Sequence, residues 1–219
     1  MRGVFVTGTD TEVGKSVVAA AVCAALAARA ERVAAFKPVV TGLDDEPGEF
    51  GRDHELLASV ANAGQTPEDV APYRFGPPLS PHLAAELAGE RIEPPRLLEA
   101  ACAHELLVAE GVGGLMVPIT PGYLVRDLAV DLELPVIVAA RTGLGTINHT
   151  LLTVEAARSA GLRVAGVVMT PWPEEPAEIE RSNRETIARL GAVSVSCLPH
   201  TDRERLAEAG ASLPLDDWL

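Results

Sequence analysis

Lysine is nearly absent from this sequence. Of 18 basic residues only Lys15 and Lys37 are lysine, and the other 16 are arginine. The planar arginine fork suits carboxylates and surface pairs, but it does not replace the compact ammonium that a tight phosphate pocket takes. Both lysines are therefore candidates for function. Basic charge is scarce altogether, and 31 acidic residues leave a net charge of −13. That balance excludes non-specific nucleic-acid binding, which draws on a basic surface. Aromatics contribute 4% of residues against 47% hydrophobic in all, so the core is expected to be aliphatic. No apolar run is long enough to span a bilayer. The opening Gly3-Val4-Phe5-Val6 reads as a strand, not as a secretory leader. Cys23, Cys102 and Cys197 are far apart and odd in number, which fits neither a disulfide framework nor a metal knuckle. A reducing cytoplasm is the expected setting.

What is present alternates. Short apolar runs predict strands at residues 3–7, 32–37, 105–110, 135–140, 163–169 and 192–198. Their near-continuous apolar character suits strands buried on both faces. Between them, helices are expected at 15–29, 53–61, 81–88, 94–103, 124–133, 147–160, 177–190 and 201–209. Such alternation implies an α/β fold, a doubly wound and mostly parallel sheet with helices on both faces. The 219 residues suit one domain of this kind, 1–219, with no internal repeat. Proline-rich Pro171 to Pro176 is expected to be a non-helical connection. In open α/β sheets ligands bind beyond the carboxyl ends of the strands. The unusual residues cluster after strand ends: Gly8 to Ser16, Lys37 to Gly42, Glu110 to Gly114, Arg141 to Asn148, and Thr170.

Gly8-Thr9-Asp10-Thr11-Glu12-Val13-Gly14-Lys15-Ser16 lies between the first strand and the first helix. Glycines let backbone N–H groups turn inward around phosphate oxygens. Lys15 would bridge β- and γ-phosphates, Ser16 would bind Mg²⁺, and the helix N-terminus would add its positive dipole end. Five residues separate the two glycines, one more than the usual phosphate loop has.

Lys37 ends the second strand and abuts Pro38, which holds its backbone extended. An ammonium pointing into the phosphate crevice would stabilise an anionic intermediate, and Thr41 follows nearby. Glu110 is expected at the end of a buried strand beside Gly111-Val112-Gly113-Gly114, on the Mg²⁺ side of a phosphate-loop protein. Taken alone, Asp53 reads as a helix N-cap. Thr146 reads as a cap too, at a helix start that also forms an anion site. The five histidines show no metal spacing.

Together these residues resemble the dethiobiotin synthases, over most of the chain. The similarity lies in Thr7 to Ser16, Lys37-Pro38 with Thr41-Gly42, Ser80-Pro81-His82, Glu110 to Gly114, and Gly145 to His149. The resemblance implies ATP-dependent ring closure on 7,8-diaminononanoate with CO₂, through a carbamate and a carbamic–phosphoric anhydride. By this likeness Lys15 and Lys37 are catalytic. Glu12, Val13, Gly14, Lys15, Ser16 and Val17 contact nucleotide, as do Asp53, Glu110, Gly111, Val112 and Gly113. Ser16, Asp53 and Glu110 surround Mg²⁺, which lifts Asp53 above a mere cap. Thr41 contacts the diamine. Thr146, Ile147 and Asn148 take its carboxylate across a homodimer interface. One departure concerns the base. Family members often carry an adenine-reading Asn where this chain has Thr170-Pro171, so base contacts pass to these and to Pro199, His200 and Thr201.

Two rivals differ in class. A partitioning-type ATPase switch shares the fold, but typically has lysine where this loop has Asp10, and often a basic DNA surface or a C-terminal membrane helix. The tail Leu213 to Leu219 is short and acidic. A carboxylate-amidating ligase needs an ammonia-supplying domain, for which this length leaves no room.

Overall fold

A computed structural model describes residues 1–219. The strands are β1 (Arg2–Gly8), β2 (Ala34–Phe36), β3 (Val39–Val40), β4 (Tyr73–Arg74), β5 (Leu106–Gly114), β6 (Pro118–Thr120), β7 (Tyr123–Leu124), β8 (Val136–Ala140), β9 (Val164–Trp172) and β10 (Val195–Pro199). The longer helices are α1 (Lys15–Ala28), α2 (Asp53–Val60), α4 (Pro81–Ala88), α5 (Pro94–Cys102), α6 (Val125–Asp131), α7 (Thr146–Ser159), α8 (Glu178–Gly191) and α9 (Leu206–Ala211). Two single turns, α3 (Pro67–Val70) and α10 (Leu215–Trp218), complete the set.

Six strands form one sheet in the order β10-β9-β8-β1-β5-β2, and every pairing in it is parallel. Alternation along each strand divides the core. Phe5, Leu107, Ala109, Val136 and Val138 join a cluster with α4 to α8. Val4, Val6, Leu106, Val108, Ile137 and Ala139 join another with α1, α2, α9 and α10. Both faces of the sheet are thus covered, the arrangement that nearly continuous apolar strands require. The chain leaves β1 toward β2 on one side and later crosses to β8 on the other. The order therefore reverses around β1, and a crevice opens at its carboxyl end.

Small residues set the closest approaches. A Cβ on Gly210 of α9 would lie 1.9 Å from the Ala21 carbonyl oxygen of α1. Gly3 sits at φ 149°, and its Cβ would lie 1.9 Å from the Leu107 carbonyl oxygen of β5.

Several expected boundaries move. β2 is shorter than residues 32–37. It is an edge strand, and side chains bond its outer rim: Asn62 Oδ1 accepts from Val33 N at 2.8 Å and Gln65 Oε1 from Ala35 N at 2.8 Å. β5 runs to Gly114, so Glu110 is interior to its strand, not at its end. β9 runs through Trp172, so Pro171 belongs to a strand and not to a connection. The last long helix starts at Leu206 and not at Thr201, because the Asp202 carboxylate accepts from Arg205 N at 2.9 Å in a separate turn. The β3–β4 pair, the β6–β7 hairpin and the two single turns have too few residues to show a period.

Candidate active site at the carboxyl ends of the strands

Register brings the charged residues together. Val6 pairs with Glu110, and Phe36 with Ala109. Lys37 therefore follows β2 level with Glu110, on the sheet face that carries α1. Ser16 in the first turn of α1 and Asp53 at the start of α2 close over the same point. Lys37 Nζ donates to Asp53 Oδ2 at 2.7 Å and to Glu110 Oε1 at 2.5 Å. Ser16 Oγ lies 2.8 Å from Asp53 Oδ1 and 2.9 Å from Glu110 Oε1. Glu110 is 0% exposed and Lys37 3%, so a water-facing Glu110 is excluded.

Asp53 does not cap its helix. Arg52 holds the cap position, and no side chain bonds the free N–H groups there. The Asp53 carboxylate is turned instead to Ser16 and Lys37. Thr146 likewise is not the cap of α7. Gly145 is, at φ 90°, while the Thr146 hydroxyl donates to the Arg141 carbonyl at 2.6 Å.

The phosphate loop is shaped by two glycines. Gly14 caps α1 at φ 88°, a conformation that favours glycine. Its absent Cβ leaves room for the Thr170 methyl, which one would meet at 2.5 Å. A Cβ on Gly8 would lie within 3 Å of the Lys15 stem and of Val13, so Lys15 folds back over Gly8 and donates to the Asp10 carbonyl at 2.8 Å. Glu12 adopts a left-handed conformation, φ 57°, within the loop.

Electrostatics follow from this crowding. Burial, then the nearby Lys37 ammonium, lowers Lys15 to about 8. Burial alone would lower Lys37 too, but Asp53 and Glu110 outweigh it and hold Lys37 above the ordinary lysine range. Burial would raise Asp53, yet the Lys37 charge prevails and brings it down to about 2. For Glu110 burial wins, and its carboxyl is raised.

A cavity of about 550 Å³ opens beside this cluster. Thr41, Asp53, Val112 and Gly113 line it, with Thr11 and Glu12 of the phosphate loop. Thr146, Ile147 and Asn148 do not line it. They begin α7 beside Leu144, which is 94% exposed. Thr170 is buried against Gly14, and Pro171 follows it in β9. Pro199, His200 and Thr201 line a separate small cavity of about 160 Å³, at strand ends where Pro199 pairs with Trp172. A larger cavity of about 780 Å³, between α4, the start of α5 and β6, includes His82 but none of the expected site residues. Thr11, Arg52, Asp45, Glu46 and Ser80 also line the 550 Å³ cavity. Thr11 and Ser80 lie in segments that carry the family resemblance, but Asp45, Glu46 and Arg52 are loop residues that no motif in the sequence marks.

The family described as "AAA domain" matches residues 2–203. An ATP-dependent dethiobiotin synthetase BioD of Bacillus subtilis (strain 168) is 39% identical over 199 residues, 89% of this chain and 85% of that protein. The protein of the same name from Anaeromyxobacter dehalogenans (strain 2CP-1) is 45% identical over 194 residues, 87% of this chain and 86% of that one. A solved ParA family ATPase from Chlorobium tepidum TLS superposes with TM-score 0.55 at 10% identity, covering 96% of this chain and 90% of that one; this likeness shows the fold. The identity to the synthetases extends over nearly the full length of both partners, and the chain belongs to the ATP-dependent dethiobiotin synthetase family.

Proposed function

We propose that this protein is an ATP-dependent ligase of biotin biosynthesis that closes the ureido ring of dethiobiotin on 7,8-diaminononanoate with CO₂. One observation carries the reading. Lys37, the second of only two lysines, joins the first turn behind the phosphate loop through Asp53 and Glu110. Two ammonium groups then share one anion-binding crevice, as transfer between two anions requires.

Ser16, Asp53 and Glu110 would hold Mg²⁺. No group of three or more His, Cys, Asp or Glu side chains is arranged for a metal. The oxygen set here is smaller, two carboxylates and a hydroxyl, which suits Mg²⁺ completed by phosphate and water. Two details favour it. Glu110 Oε2 is buried without a partner, and the single proton of Ser16 serves only one of two carboxylates. The metal would neutralise charge on the phosphates.

In the proposed reaction an amine of the substrate takes up CO₂ as a carbamate, and a carbamate oxygen attacks the γ-phosphate of ATP and displaces ADP. The second amine then attacks the carbonyl of the mixed anhydride, closing the ring and releasing phosphate. Lys15 and Lys37 bind and orient the reacting anions. Phosphoryl transfer demands positioning and charge neutralisation more than a protein nucleophile. Glu12 to Val17, with Gly111, Val112 and Gly113, would follow the phosphates, and Thr41 the diamine. The start of α7 would take the substrate carboxylate in a second copy of the chain. Its separation from the 550 Å³ cavity supports that arrangement. Thr170 is committed to packing on Gly14 and has no amide to offer a base. Base selection then rests on Pro171 and Pro199 to Thr201, and is weak.

The test is a coupled assay for nucleoside diphosphate and dethiobiotin with each NTP. Turnover that requires both diamine and bicarbonate is expected; hydrolysis indifferent to both would overturn the proposal.

A further inference from the structure

One side of the 550 Å³ cavity is formed by Gly42, Asp45, Glu46, Pro47, Gly48 and Gly51, from a loop, residues 42–51, that has no helix or strand of its own. This loop carries Asp44, Asp45, Glu46 and Glu49. None of these four carboxylates takes part in an ion pair, unlike Asp53 beside them. With no ion pair to anchor these side chains, the loop is held by hydrogen bonds. Backbone bonds tie its first part to the neighbouring segment, and at its far end Gly51 N donates to Gly48 O at 2.8 Å. Gly42 N, Leu43 N and Asp44 N donate to the carbonyls of Pro77, Phe75 and Gly76 at 3.0, 3.2 and 2.9 Å.

The carbonyls of the same stretch converge on one side chain. Arg52 Nη1 donates to Gly42 O at 2.7 Å, and Nη2 donates to Leu43 O at 2.9 Å and to Asp45 O. One guanidinium thus bonds three carbonyls. Only arginine has the fixed fork of donors to do so. It also sets a positive charge beneath an acidic loop. Arg52 is neither a helix cap by its side chain nor an ion-pair partner.

We infer that Arg52 is a positioning residue for the diamine: it clasps the loop so that Thr41 and the carboxylates of Asp45 and Glu46 form the wall that receives the substrate amines. This rests on the proposed function, and it adds how the pocket selects a doubly basic substrate. Arg52 acts through the loop, so its loss falls on substrate affinity, while Lys15 and Ser16 keep the nucleotide.

Arg52→Ala and Arg52→Lys are compared with the unaltered protein. Hydrogen exchange of residues 42–46 is expected to speed up at least about tenfold in Arg52→Ala, with β1 and α1 unchanged. The KM for 7,8-diaminononanoate rises about tenfold, while kcat stays within about threefold. ADP affinity by calorimetry is unchanged. Added guanidinium ion lowers the KM of Arg52→Ala, and Arg52→Lys recovers only part of it. Unchanged loop exchange, an unchanged KM, or a parallel fall in kcat and ADP affinity overturns the inference. Should the unaltered protein not turn over the diamine, the functional reading fails, and loop exchange still decides whether Arg52 is the clasp.

Discussion

Lys37 is the counter-cation for two carboxylates, one wholly buried. Removing one partner of a buried pair leaves the other charge uncompensated, at a cost of about 3–5 kcal/mol. Lys37→Gln is therefore expected to abolish dethiobiotin formation, to leave ADP binding measurable and to lower the melting temperature. The pH sign follows from Glu110. Burial raises its carboxyl already, and loss of the ammonium raises it further. A group raised above its unfolded value stabilises the fold below that value and loses the effect as pH rises. The deficit of Lys37→Gln relative to the unaltered protein should then shrink as pH falls from 7 toward 5; a deficit constant over that range argues against a buried, charged Glu110. The cysteines offer an independent check on burial. Cys102 is exposed, Cys197 intermediate and Cys23 buried, with the Cys23 thiol pushed up to about 12. A thiol reagent at pH 8 should label Cys102 first and Cys23 only on unfolding. Early labelling of Cys23 would mean that α1 does not pack as described.

At the scale of elements, α1 and α9 approach across Ala21 and Gly210 with no room for one added carbon. Alanine at 210 gains about 1 kcal/mol of helix propensity. Its methyl would meet a backbone carbonyl, which cannot swing aside, and overpacking costs about 1–3 kcal/mol. Because the gap is so short, separation of the helices dominates. At about 2–4 °C per kcal/mol for a chain of this length, a net cost of roughly 1–2 kcal/mol means Gly210→Ala should lower the melting temperature by about 2–8 °C, measured by calorimetry; an unchanged or higher value would show that α9 sits farther from α1. The phosphate loop shows the same logic with a functional outcome. Gly14 is left-handed and faces the Thr170 methyl. Gly14→Ala should lose nucleotide affinity, and Thr170→Ser, which removes that methyl, should restore only part of it because the strained φ remains. Full restoration would make the contact, not the backbone, the constraint.

For the molecule as a whole, the proposed carboxylate site at the start of α7 and the lysine pair belong to one proposed reaction, yet the start of α7 does not line the 550 Å³ cavity beside the lysine cluster. If two copies share each site, Lys37→Gln and an Asn148→Ala, Thr146→Ala double variant should complement each other. Random mixing makes half the dimers mixed, each with one complete site, so activity should recover to about a quarter of the unaltered level. Mixtures no more active than their components would place the whole site in one chain. Leu144, Met116 and Leu152 are exposed, and Leu144 immediately precedes Gly145, the cap of α7.

The strand–helix alternation and the phosphate loop were legible in the sequence. They depend on local periodicity, on turn residues at fixed offsets and on composition, which neighbours along the chain carry by themselves. The side-chain orientations of Asp53 and Thr146 were not. Each stands at a helix start, where a cap is the best local reading, and only register across β1, β5 and β2 turns Asp53 toward Lys37 and Ser16. The depth of Glu110 and the clasp of Arg52 also needed tertiary structure. Which carbonyls a guanidinium reaches, and how long a strand continues beside its neighbour, depend on contacts between segments far apart in the chain.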